Sequence, residues 1–146
     1  MATELMIFPA ILWGLLVGLY ELFAIHADES FAGVGRWLSH GLHAAVFAFI
    51  FVFITMNVEF ALGFFPSLQD IGFLAFAGFL PFRILIGLIA MFKIQAASMV
   101  VRGGGGIAAR GIGEHFTHTV IAGLLIIFSP EIMSVLWPLV SGFFPF

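Results

Sequence analysis

Four long apolar runs, divided by short polar stretches, limit what this chain can fold into. They cover about residues 5–25, 40–65, 71–101 and 114–146 and carry few charges. Roughly 20 consecutive apolar residues of helix cross a hydrocarbon layer, and each run reaches that length. Hydrophobic residues make up 62% of the 146 residues and charged residues 9%, too few polar groups to cover a water-facing surface. A backbone in lipid must satisfy its own hydrogen bonds, which favours helices here. The expected class is an all-α polytopic membrane protein. It forms one helical domain over residues 1–146, with four transmembrane helices arranged as two helical hairpins.

The first run, Leu5–Ile25, follows Glu4 where a signal peptide would carry positive charge, and no A-x-A site follows it. It reads as a retained span. Gly14 and Gly18 within it form a G-x-x-x-G pair, which marks a helix-packing face. From His26 to Ser39 the chain is polar. Asp28, Glu29 and Ser30 are expected to start a short interfacial helix with Trp37 as its anchor. The second run is interrupted by Asn57 and Glu59 and ends in a turn at Pro66–Asp70. The third would be about 46 Å long as one helix, so it is expected to kink or break at Pro81. Ser129-Pro130-Glu131 reads as a fresh helix start, which predicts a kink or break in the fourth run at Pro130. Each half also holds a span, a charged loop, a His-x-x-His helix and a proline turn, suggesting a weak two-fold internal repeat.

The two His-x-x-His motifs are the first candidate site. His40 and His43 open the second span, and His115 and His118, preceded by Glu114, open the fourth. Histidines three apart project from one face of a helix, about 60° apart. Together with His26 these groups can ligate a metal ion, or a haem held from both faces. The order E-H-x-x-H departs from both the metalloprotease H-E-x-x-H and the di-iron Glu-x-x-His. The plainer alternative is that interfacial histidines hydrogen-bond headgroups, water or loop carbonyls. The chain has no cysteine, which excludes disulfides, thiolate metal sites and covalent c-type haem.

The second candidate set is the charges within the spans: Glu21, Glu59, Arg83, Lys93 and Glu131. Charges in lipid are costly and should face protein or water. Depth along the runs suggests two ion pairs, Glu21 with Lys93 and Glu59 with Arg83. These serve either to fix helix register or to line a proton or ion route. The glycine-rich loop RGGGGIAARGIG, residues 102–113, follows a helix and not a strand. A hinge near anionic headgroups therefore suits it better than a phosphate cradle. Phe47, Phe49, Phe51 and Phe53 alternate and are expected to spread over lipid- and partner-facing surface.

These features favour a small subunit of a larger membrane complex, with the histidines binding a metal or haem. The chain on its own is not expected to be an enzyme. The alternatives are a homo-oligomeric ion or proton channel or transporter using the buried charges, and a purely structural subunit. Expected partners are lipids and other membrane subunits, or further copies of the chain; the net charge of −3 gives no case for nucleic acid. Arg36, Arg102 and Arg110 sit in the two long loops, against Arg83 on the opposite side. The positive-inside rule then places the loops in the cytoplasm and both termini outside, in a plasma membrane of prokaryotic type. Cysteines replacing Ala32 and Ile107 should accordingly react with an impermeant maleimide only after cells are permeabilised. Labelling of both in intact cells would reverse the orientation.

Overall fold

The computed structural model describes residues 5–29, 34–101 and 116–143, and every regular element among them is helical. Helix α1 covers Ile7–Glu29 and α2 covers Val34–Met56. They absorb most of the stretch expected to form a separate interfacial helix. No proline or glycine interrupts 26–29, so the ladder of α1 simply continues. The Trp37 ring lies 4.4 Å from that of His26, clamping the two helix ends together.

Two short helices follow, α3 at Val58–Gly63 and α4 at Pro66–Gln69. Next comes the long α5, Phe76–Val101, and then α6 at Phe116–Ile127 and α7 at Ser129–Val140. A 3-10 turn, Ser141–Phe143, ends the described chain. Helices α1, α2 and α5 are each long and apolar enough to cross a membrane. The pair α6–α7 makes a fourth if the two are counted as one bent span. The Glu114–His115 part of the second histidine motif and the loop 102–113 lie outside the described residues.

The packing depends on glycine. The most extensive helix contact is α1 on α2, followed by α5 on α6. A Cβ on Gly14 would sit 2.8 Å from Phe49 Cδ2, one on Gly18 3.0 Å from the Ala45 carbonyl oxygen, and one on Gly41 2.6 Å from Leu22. The Gly14–Gly18 face is therefore taken up by the chain's own α2. In the second pair Gly87 meets Ile127 and Gly123 meets Met91. Between the pairs lies a core of small and medium residues, including Ala10, Val17, Ala48, Val52, Ala90 and Ile126.

Phe51 is buried in that core, with Phe47 and Phe53 packed against it. This corrects the expectation that the alternating phenylalanines cover the exterior. Helix α2 is contacted by α1, α5, α6 and α7, so side chains on most of its faces meet protein. The outward aromatics lie elsewhere, at Phe23, Phe73, Phe76, Phe92 and Phe116.

A side chain at Gly18 has to push against backbone, which cannot swing aside. Gly18→Val should destabilise the protein by about 1–3 kcal/mol, the usual cost of overpacking. Gly63→Ala, where nothing lies within 4 Å of the added carbon, should be neutral or stabilise by up to about 1 kcal/mol, the helix-propensity difference. Unfolding of both variants in mixed micelles, followed by helical circular dichroism, gives the comparison; equal stabilities would remove the glycine contact as a determinant.

Candidate functional site

Three interruptions in the helices meet at one place. The first is at Asn57, between α2 and α3. Its amide N–H reaches both Phe53 O and Ile54 O, and its side-chain Nδ2 donates to Phe53 O at 3.0 Å. Its Oδ1 accepts the Met6 amide N–H at 2.7 Å. Asn57 thus ties off the end of α2 and caps the start of α1 from across the bundle, where an amide has no partner of its own.

The second interruption is in α5. Ala77, Gly78 and Phe79 have φ of 49°, 65° and 62°, a left-handed turn inside a right-handed helix. Such a conformation costs roughly 1–2 kcal/mol for each residue bearing a Cβ. The break precedes Pro81, which falls in the first turn of the segment that continues the helix. Proline is tolerated there because first-turn amides need no helical acceptor.

The third lies at Phe128, where α6 and α7 meet at a bend of 69°. Pro130 has no N–H for the Ile126 carbonyl, and the Ser129 hydroxyl donates to it instead, at 2.9 Å. Neighbouring carbonyls are also served by side chains. Leu125 O accepts from Ser129 Oγ at 2.8 Å and from Trp13 Nε1 at 3.2 Å, and Ile127 O accepts from Arg83 Nη1 at 3.3 Å.

Between these breaks is a cavity of about 220 Å³. Thr55, Asn57, Glu59, Gly78, Arg83 and Pro130 contribute to its wall. Arg83 is 4% exposed. It holds Glu131 end-on, Nη1 to Oε2 at 2.6 Å and Nη2 to Oε1 at 2.7 Å. The Glu131 side chain is 52% exposed, so the pair runs from the interior to the surface. Arg83 therefore takes Glu131 as its partner where the sequence suggested Glu59, and Glu59 lines the same cavity. Depth along the chain placed all three carboxylate and guanidinium groups at one level but could not choose between the acids. Glu131, in the first turn of α7, is the acid that meets the guanidinium.

The remaining candidates lie at the other end of the long helices. Glu21 is fully buried and His40 is 4% exposed, whereas His26 and His43 are exposed and His118 is half-buried. The His43 ring packs edge-on against Phe47, and Lys93 Nζ lies 5.6 Å from the Phe47 centroid. The Tyr20 hydroxyl lies 3.5 Å from the His118 carbonyl oxygen. Gln95 donates to Thr119 at 2.5 Å, a polar pair between α5 and α6 that the sequence analysis missed. Among the described residues no three of His, Asp and Glu lie together as metal ligands. The full four-histidine set includes His115, which lies outside them together with Glu114.

Sequence reasoning also missed the side chains that repair the breaks: Trp13, Ser129 and the amide of Asn57. A serine preceding a proline in an apolar run is a usable signal, because its hydroxyl can reach carbonyls three and four residues back. The chain matches no protein-family model, no curated protein and no solved structure. It is thus defined by its architecture, an all-helical protein with three to four candidate membrane-spanning helices.

The ion pair yields a stability prediction. Glu131→Gln leaves the buried Arg83 guanidinium without its counter-charge. Loss of a partner from a fully buried pair costs about 3–5 kcal/mol, and the half-exposed Glu131 should bring this nearer 2. Arg83→Met combined with Glu131→Met should recover most of the loss. A double mutant as unstable as the single change would show that the pair does not act as a unit.

Proposed function

We propose that the protein is a small integral membrane transporter or channel, with the Arg83 cavity as the place where an ion or small polar solute is handled. It crosses the membrane four times, as two helical hairpins, with α6 and α7 together forming the last crossing. The observation that carries this reading is the convergence of three helix interruptions on one cavity beside an intramembrane ion pair. Irregular backbone at membrane depth is tolerated where it is buried in protein or lines a cavity. Broken helices of this kind supply the binding groups in many secondary transporters. A register-fixing ion pair alone would not call for three breaks around a cavity. The second polar level, with Glu21, Lys93, Gln95 and Thr119, gives the route a continuation toward the loop side.

The subunit reading, with a metal or haem on the histidines, draws on the burial of His40 near the start of α2. The exposed aromatic surface suits lipids, other subunits or further copies equally well.

One preparation separates these readings. The purified protein is assayed for metal content and visible absorbance, then reconstituted into liposomes for proton and small-solute flux. Flux above that of empty liposomes is expected, falling at least tenfold in Arg83→Gln/Glu131→Gln while the helical spectrum is kept. Flux unchanged in the double variant would defeat the transport reading. Stoichiometric metal or a Soret band lost with His40→Ala would favour the histidine site.

A further inference from the structure

The connection between α2 and α5, through α3 and α4, is not built like a loop in water. Phe60, Phe64, Phe65, Ile71, Phe73 and Phe76 are each 45–71% exposed. Its inner side is equally apolar. Val58 and Leu62 are buried with Phe82, and Leu68, Leu74, Ile54 and Ile86 pack against them. Ile54 and Ile86 belong to the candidate membrane spans Trp37–Met56 and Phe76–Ala96. The connection is therefore fastened at the depth of those spans. Its backbone is also closed on itself. The amides of Phe64, Phe65, Leu68, Ile71, Leu74 and Phe76 each donate to the carbonyl three residues back, at 2.8–3.3 Å. Water satisfies the amides of an ordinary surface loop, whereas a segment in an apolar medium has to satisfy its own.

We infer that this connection lies inside the membrane boundary, with Phe64 and Phe73 in contact with lipid acyl chains. The inference stands whether or not the Arg83 cavity conducts. Exposed aromatics by themselves name no partner; here depth, backbone and charge together name lipid. At the depth of the spans, an outward side chain meets either lipid or another embedded chain, which leaves out a soluble partner. The charge balance favours hydrocarbon over headgroups. Glu59 and Asp70 are the only charged residues between Asn57 and Arg83, so no cation draws a lipid phosphate to this stretch. Polarity gathers instead at Ser67, Gln69 and Asp70, all exposed, which marks the edge of the connection that meets water. An apolar side turned to the acyl boundary and a polar side turned to water is the pattern of a segment lying in the interface. Helix α5 likewise exposes Leu85 and Leu88, so one apolar medium covers both the span and the connection.

The chain has no cysteine, so one introduced cysteine carries a nitroxide at a single place. Phe64→Cys, Phe73→Cys, Asp70→Cys and Leu88→Cys are each labelled in the full chain, in nanodiscs of phosphatidylcholine. Collisions of the nitroxide with oxygen, which concentrates in hydrocarbon, are compared with collisions with a neutral nickel chelate, which stays in water. The oxygen-to-nickel ratio at positions 64 and 73 should exceed that at position 70 about threefold or more and approach that at position 88, because apolar solutes partition into hydrocarbon. Phe65→Cys, also at an exposed position, replaces either phenylalanine variant if that one does not fold. A ratio at either phenylalanine position no higher than at position 70 would show a loop in water and overturn the inference. Poor access to both reagents, with dipolar broadening between labels, would place a second copy on this face and overturn it as well.

Discussion

Backbone hydrogen bonding in an apolar medium is the constraint on which the rest of this structure depends. An interrupted helix leaves amides and carbonyls without partners, and lipid offers none. Here the repairs come from side chains on distant parts of the chain. Asn57 caps the first helix from the end of the second, and Trp13 on the first helix serves a carbonyl at the end of the sixth. Arg83 on the fifth serves the next break carbonyl and the first acid of the seventh helix. The cross-links that make the breaks affordable are therefore also those that hold the helices in register.

Close approach of the helices makes such long-range repairs possible. Gly14, Gly18 and Gly41 bring α1 onto α2, and Gly87 and Gly123 bring α5 onto α6. The two pairs share this device. Without hydrophobic driving force between helices in lipid, contact area and interhelical hydrogen bonds hold them together. Glycine supplies the first and the break residues the second.

The polar groups separate into two levels. At one end Thr55, Asn57, Glu59 and Arg83 surround the cavity, with Glu131 bound to Arg83. At the other, Glu21 and His40 are buried near the ends of α1 and α2, and Gln95 bonds Thr119. The apolar core, with Ala48, Val52 and Ala90, lies between them.

The sequence by itself determined the helical class and the apolar stretches long enough to span a membrane, because these follow from local composition. Twenty apolar residues cross a bilayer whatever their neighbours are, and a proline lacks its N–H in any fold. It also marked Gly14 and Gly18 as a packing face, and Arg83, Glu59 and Glu131 as charges needing shelter. Partner choice was settled only by the tertiary structure. Gly14 and Gly18 receive the chain's own α2, Arg83 takes Glu131 over Glu59, and Phe51 turns inward while Phe92 turns outward. Each of these depends on which helix lies beside which. Periodicity along one helix carries no information about its neighbours. Only the assembled bundle brings Asn57, Gly78, Arg83 and Pro130 around a single cavity.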